Sequence, residues 1–425
     1  MNQTLLLATT IAFRGATLID GTGAPPVPDA LLVIADGRVV YSGVASPEAL
    51  DAVPASATAV TLAGKWIVPG FIDAHVHADT DGDLRQMLQW GVTAVRLMAE
   101  DVAASRALAA RAARAGSGMP DIFPSAPIFT AKGGWWDQGQ SPDANLDRFP
   151  GTPDQARAAV RKAGALGAQE VKLMLDDMAW CRAPLPALPK VEPAVARALV
   201  EEARRLGLRA MVHAPELADA DAAIGFRATA LAHGVLEPIP EERIGQMRRR
   251  PIYYIPTMDV FEFLADTKGF VDGVLSDPAT TAPGRGISRE NAAKLKSPAY
   301  SAGYRERYPN FENVKRCLPA LRENLRRLHA GGVPVALGTD MWAFPGLGVS
   351  VEMDLFVKAG LTPLETIRAA TQTSARSLAI DANYGTLEAG RHADFLVLLA
   401  DPLQDVKNTR RISEIYKHGV RVDGR

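Results

Sequence analysis

Three times along this chain a helix-forming stretch stops at glycine and passes directly into a short apolar run carrying a polar residue. Gly167 precedes Lys172, Gly207 precedes His213, and Gly331-Gly332 precedes Asp340. Glycine adopts the left-handed conformation that ends a helix without a Cβ clash. Repeated helix–glycine–strand units build a parallel sheet whose strand ends lie at one level. Helical spacing is expected over 101–115, 154–166, 193–206 and 313–330. Two further apolar runs end at His75-Val76-His77 and at His233. Segments around Val92, 122–128 and Ile252 supply three more strands, and the count reaches eight. The expected fold class is α/β: a (β/α)8 TIM barrel over 67–381.

The chain ends read differently. Residues from about 11 to 65 form short strands separated by turns, and Asp36-Gly37 between two apolar runs is a type I′ hairpin signal. Residues 390–399 and 412–422 are β-like again. The ends, 1–66 and 382–425, are therefore expected to pair into one small composite β-sandwich domain. Residues 1–13 are apolar but lack a basic leader region, and a first strand fits them better than a signal peptide. Two stretches break the helix–strand rhythm. Residues 132–150, with Trp135-Trp136, follow the third strand. Residues 261–316, rich in Gly, Pro and Tyr, follow the seventh and are expected to hold a little helix. Long loops at such a face shape substrate access.

Composition narrows the function. Of 425 residues 47% are hydrophobic, enough for a large core. Lys+Arg of 47 against Asp+Glu of 48 gives 47 − 48 = −1, so nothing favours nucleic acid as a partner. No apolar run is long enough for a membrane span, so no membrane partner and a cytoplasmic location are expected. Cys181 and Cys317 could form one bridge, but inert buried thiols are the expectation.

The polar residues at the strand ends carry the chemistry. Four imidazoles (His75, His77, His213, His233) and the Asp340 carboxylate are ligands for a zinc-like ion. His75 and His77 stand two apart, which puts both on one face of a strand. Each motif alone has a plainer reading. His-x-His also describes two histidines satisfied by backbone, and a single strand-end aspartate is more often a helix cap. It is their recurrence at the ends of parallel strands that points to a barrel active site. Lys172 is the unusual member, because an ammonium cannot ligate a cation. Held neutral, its amine could react with carbon dioxide to give a metal-bridging carbamate. The plainer reading pairs it with Asp176 or Asp177. Tyr253 or Tyr254 could support an oxyanion, although core packing suits both better. Arg285, Arg305 and Arg307 could clamp a substrate carboxylate, with solvated surface the plainer role. His329, His392 and His418 are not expected to be ligands.

At these motifs the sequence resembles the amidohydrolase superfamily, in the branch grouping imidazolonepropionase-like enzymes with prolidase-like dipeptidases and ochratoxin-type amidases. The matching residues are Pro69-Gly-Phe-Ile-Asp-Ala-His-Val-His, Val171-Lys-Leu-Met, Met211-Val-His-Ala, Ala232-His-Gly, Gly338-Thr-Asp, the 360–371 segment and Gly385-Thr-Leu-Glu-Ala-Gly-Arg-His-Ala-Asp-Phe. The resemblance implies a binuclear centre of two divalent ions, most often zinc. His75, His77 and Asp340 would hold the first ion and His213 and His233 the second, with carboxylated Lys172 bridging. It also implies a hydroxide nucleophile between the ions and Asp340 as the catalytic proton carrier. The expected reaction is hydrolysis of an amide-type C–N bond in a small molecule, such as a dipeptide, an N-acyl amino acid or an aromatic amide. Opening of a cyclic amide, or carbamate or ester hydrolysis, is the alternative. Lys172 counts against the mononuclear imidazolone-type and deaminase-type versions. A non-catalytic homologue predicts eroded ligands, and all six are present. A homo-oligomer is expected from the resemblance alone.

Overall fold

The computed structural model describes residues 10–422 except 79, 138, 140–145, 183–186, 283–285 and 308; side chains at 182, 304–307 and 309–312 are also outside the description. Seven strand positions run parallel in chain order: Phe71–Val76, Val92–Met98, Asp121–Ser125 continuing through Ile128–Phe129, Glu170–Met174, Arg209–His213, Ala230–Ala232 and Tyr253–Ile255. Their ladders form two sheets, of three and five strands. Single hydrogen bonds span the gaps. Ala126 N donates to Glu170 O across the third position. Residues 333–340 supply the eighth: Tyr254 N donates to Pro334 O and Ala336 N to Tyr254 O, while Ala74 N donates to Leu337 O and Asp340 N to His75 O.

The helices between them form for the reasons read from the sequence. Pro193–Arg205 starts on proline and buries Val195, Leu199, Val200 and Ala203 at helical spacing against the sheet. Each buried Val or Leu contributes about 1.5–3 kcal/mol. Gly167, Gly207 and Gly332 all carry positive φ (93°, 73° and 77°), as the strand-entry pattern requires. The 261–316 region is more helical than expected, with helices Met258–Ala265, Thr267–Leu275, Arg289–Lys296 and Pro298–Arg307. Its buried Phe261, Phe263, Leu264, Val271 and Leu295 supply the apolar faces that its glycines and prolines obscured.

Both chain ends join one eight-stranded sheet, in which Trp66–Pro69 pairs with Phe395–Leu398. It is a single sheet rather than two facing ones. It curls around a core where Phe13 meets Phe395 and Tyr416 at ring-centroid distances of 5.1 Å each. Asp36 and Gly37 both take positive φ (50° and 75°), as a type I′ hairpin needs. The first strand is Ile11–Leu18; residues 1–9 lie outside the description.

Cys181 and Cys317 are not free thiols. They form a disulfide, with Cα atoms 6.2 Å apart, because the short helical turns at Trp180–Arg182 and Pro309–Arg316 pack side by side. No pattern local to either cysteine could reveal a contact between residues 136 positions apart. Among the described residues no helix is long and apolar enough to cross a membrane.

Below the C-terminal strand ends the barrel interior carries charge. Arg96 Nε lies 2.9 Å from Glu170 Oε1, and Arg209 Nε lies 2.9 Å from Glu170 Oε2. Glu170 and Lys172 are two apart on one strand, so both point inward, with the ion pair below and the lysine above.

Candidate metal centre

The fold brings all six expected residues to one place, at the C-terminal ends of five strand positions. His75 Nε2 stands 3.0 Å from Lys172 Nζ and 3.9 Å from Asp340 Oδ1. His77 Nε2 is 3.7 Å from the same carboxylate oxygen. The His233 ring centroid is 4.5 Å from that of His75 and 4.3 Å from that of His213. His75, Lys172, His213 and His233 are buried, while His77 and Asp340 are partly open to the mouth. Gly338 allows this convergence: a Cβ there would stand 2.6 Å from Ile255 Cγ2 and 2.9 Å from His75 Cβ. His233 and Asp340 both carry left-handed φ (74° and 55°), a strained conformation that surrounding structure must hold in place.

The histidines are oriented from behind. His213 Nε2 lies 2.7 Å from Asp176 Oδ2, and its Nδ1 is buried without a partner. The Trp180 indole N–H donates to both oxygens of Asp176, at 3.0 Å each. His233 Nδ1 lies 2.8 Å from Thr257 Oγ1, which leaves its Nε2 for the mouth. Thr257 itself has a φ of 45°. The backbone N–H groups of the next two residues, Met258 and Asp259, donate to the buried Glu352 carboxylate at 2.8 and 2.7 Å. Asp73 ties the first strand to the eighth by accepting from His75 N, Thr339 N and Thr339 Oγ1.

Residues 66–422 match the amidohydrolase family over most of the chain.

The chain belongs to the amidohydrolase family.

It is 26% identical to an imidazolonepropionase of Rhizorhabdus wittichii, with 89% of this chain and 90% of that protein covered. An uncharacterized Mycobacterium tuberculosis protein is 40% identical over 98 residues, but the match spans only 14% of that protein's length and 20% of this chain. Two solved structures share the fold. A Xaa-Pro dipeptidase with bound methionine superposes with a TM-score of 0.73 at 19% identity, covering 98% of this chain and all (100%) of the other. The A. niger ochratoxinase gives 0.75 at 21%, covering 98% and 96%. This likeness establishes a TIM barrel with a small accessory domain.

Asp176, Trp180, Thr257 and Glu352 were not legible as site residues in this amidohydrolase. Asp176 appeared only as a possible partner for Lys172; it bonds His213 instead, while Asp177 faces Lys190 at 3.6 Å. Tyr254 is fully buried, and its hydroxyl accepts from Val235 N, so it serves packing. Tyr253 is partly buried and packs against the apolar cluster that includes Ile72 and Ala336. His329 Nε2 pairs with Glu365 at 3.1 Å, outside the centre. Arg285 and the Arg305 and Arg307 side chains lie outside the described residues.

Electrostatics suit cation binding. Burial, and then the Lys172 charge, hold the His75 and His77 imidazoles far below their ordinary pKa. Burial and the neighbouring His213 and Lys172 do the same to His233. Neutral imidazoles are what a metal ligand must be. Burial pulls Lys172 down to about 8 despite the opposing pull of Asp340 and Glu170. Burial pushes Asp340 up to about 7, opposed by Lys172. The mouth is aromatic. The Trp136 ring lies 4.7 Å from His77 between centroids, Phe261 meets His233 edge-on at 6.2 Å, and Trp342 is 39% exposed nearby in sequence to Asp340.

Proposed function

We propose that this amidohydrolase cleaves an amide-type C–N bond of a small molecule, using two divalent ions of the zinc type. The observation that carries this reading is the convergence of Lys172 Nζ on His75 Nε2 at 3.0 Å among four histidines and Asp340. The residues fit such ions. Asp176 and Thr257 engage one nitrogen each of His213 and His233 and leave the other for a ligand bond, and the free His213 Nδ1 is buried with no protein partner. His75, His77 and Asp340 would hold one ion and His213 and His233 the other, with Lys172, as its carbamate, joining them. Bound ions of this kind lower the pKa of water and polarise a carbonyl.

The chain's own groups do the rest. Asp340, partly open to the mouth, would accept a proton from the attacking water and return it to the leaving nitrogen. Lys172, held near 8, keeps a usable fraction of free amine for reaction with carbon dioxide at neutral pH. Trp135, Trp136 and Trp342 favour a substrate with an apolar or aromatic group. The dipeptidase and ochratoxinase folds are consistent with amide substrates. A second reading, opening of a cyclic amide, draws on the imidazolonepropionase relative. Nucleic acid and membrane are not part of either reading.

Elemental analysis of protein purified with bicarbonate and without chelator tests the metal content. About two zinc-like ions per centre support the bridged reading, and hydrolysis of N-acyl amino acids, dipeptides or aromatic amides would complete it. One ion at this centre, with a Lys172→Ala variant that keeps both metal and activity, would move cyclic-amide opening to the front.

A further inference from the structure

Asp121, Asp394 and His418 meet at the seam between the composite sheet and the barrel, away from the catalytic mouth. Asp121 opens the third barrel strand at its N-terminal end, so it lies at the opposite face from His75 and Asp340. Asp394 precedes the sheet strand Phe395–Leu398, and His418 sits in the tight turn after Ile412–Lys417, with a φ of 49°. One ligand atom from each of the three lies within 4.8 Å of the other two. Asp121 and Asp394 are each only 6% exposed.

The existing contacts leave two atoms over. His418 Nε2 is 2.8 Å from Asp121 Oδ2, and His418 N–H donates to Asp394 Oδ1 at 2.5 Å. Asp121 also accepts from Lys417 Nζ at 2.8 Å and from the Tyr384 hydroxyl at 3.1 Å. His418 Nδ1 and Asp394 Oδ2 are both buried and have no hydrogen-bond partner. A buried carboxylate oxygen and a buried imidazole nitrogen left without hydrogen bonds cost stability unless something binds them.

We propose that this seam is a divalent-cation site distinct from the catalytic centre, with Asp394 and His418 Nδ1 as ligands. His418 Nδ1 lies 3.7 Å from Asp394 Oδ1. One ion bonded to both at about 2.0–2.2 Å spans that separation. Asp121 behind Nε2 completes the carboxylate–histidine–metal arrangement that fixes the tautomer of a ligating imidazole. The His392 ring packs against that of His418, 4.4 Å between centroids. The hydrogen bond to Asp121, helped by the Asp394 charge, raises the His418 pKa above its ordinary value, so a cation binding at Nδ1 must displace a proton; once it has, two carboxylates face the single Lys417 ammonium and negative charge is left for the ion. The imidazole and carboxylate donors select a zinc-type ion over calcium or magnesium. Bound there, the ion clamps a sheet built from both chain ends onto the barrel.

The test compares full-length wild type with Asp394→Asn, His418→Ala and His75→Ala, each loaded with zinc, freed of loose metal and analysed for zinc per chain. Asp394→Asn keeps an acceptor for His418 N–H and so preserves the turn if His418→Ala fails to fold. Loss of one ion per chain in Asp394→Asn relative to wild type, the same further loss in His75→Ala/Asp394→Asn relative to His75→Ala, and a smaller zinc-induced Tm gain in that double variant than in His75→Ala are the expected result. Equal zinc content and equal zinc-induced Tm shifts in wild type and Asp394→Asn would overturn the proposal and leave a hydrogen-bonded charge cluster. The catalytic reading is judged separately, by the ions lost in His75→Ala.

Discussion

His213 Nε2 and Asp176 Oδ2 lie 2.7 Å apart, and the Trp180 indole holds that carboxylate from the other side. With Nε2 taken by Asp176, the buried and unpartnered Nδ1 is the His213 nitrogen left for a ligand bond. Partners of this kind typically control 10–100-fold in metal affinity or activity. Asp176→Asn should therefore weaken the second ion by about 10–100-fold, with activity recovering in excess zinc. A variant that binds zinc as tightly as wild type in a competition titration would remove Asp176 from this role.

In the proposed centre Lys172 differs from the other five residues, because its carbamate would depend on dissolved carbon dioxide. Its amine is held at about 8, so carboxylation competes with protonation near neutral pH. Purification in bicarbonate-free buffer under nitrogen should lower metal content and activity, and added bicarbonate with zinc should restore both. Lys172→Ala should lose the bridge and at least 100-fold in activity, on the order of 3 kcal/mol of transition-state stabilisation. A Lys172→Ala protein with two catalytic ions and wild-type turnover is the outcome that sinks the bridged centre.

The six residues of the candidate centre were legible in the sequence because a barrel places them in one dimension. Each lies at the end of an apolar run, and period-two spacing decides which residues face inward, as His75 and His77 show. Their supports were not legible. Asp176 and Thr257 sit in loops, and their partners are 37 and 24 residues away, at distances no local pattern encodes. Glu352 lies on a buried helix far from the strands and caps Met258 and Asp259 across 94 and 93 residues. The helices within 261–316 were underestimated because glycine and proline weaken propensity while packing against Phe261 and Phe263 overrides it. His418 was set aside because it lies in the accessory sheet; only the fold brings it to Asp121, across the domain seam.

Arg96 and Glu170 form an ion pair whose side chains are each only 2% exposed. Removing one partner strands a charge in the barrel interior, and such losses cost about 3–5 kcal/mol. Arg96→Met should lower the urea midpoint and Tm accordingly, because Glu170 keeps only the half-open Arg209. Arg96 also donates to Ala74 O and Ser377 O, so the strand bearing His75 should loosen too. Unchanged stability in Arg96→Met would mean that the pair carries no net weight in the barrel.

Asp259 and Glu352 bring two fully buried carboxyl groups together behind Thr257. Burial, reinforced by mutual repulsion, raises Asp259 far above its usual range, and burial pushes Glu352 up to about 8. The folded pair therefore holds a proton that the same groups release near pH 4 in the unfolded chain. Because the folded state binds more protons, this contribution to stability is complete below the unfolded pKa and drains away as pH rises through 8. Wild-type Tm should fall through this pair from about pH 4.5 to about 8, where Glu352 titrates in the fold, and further above it through Asp259. Asp259→Asn replaces the shared proton with an amide donor and should flatten that fall, by on the order of 2 kcal/mol at the alkaline end. Calorimetric Tm–pH curves that run parallel in wild type and Asp259→Asn would show that the pair does not share a proton across this range.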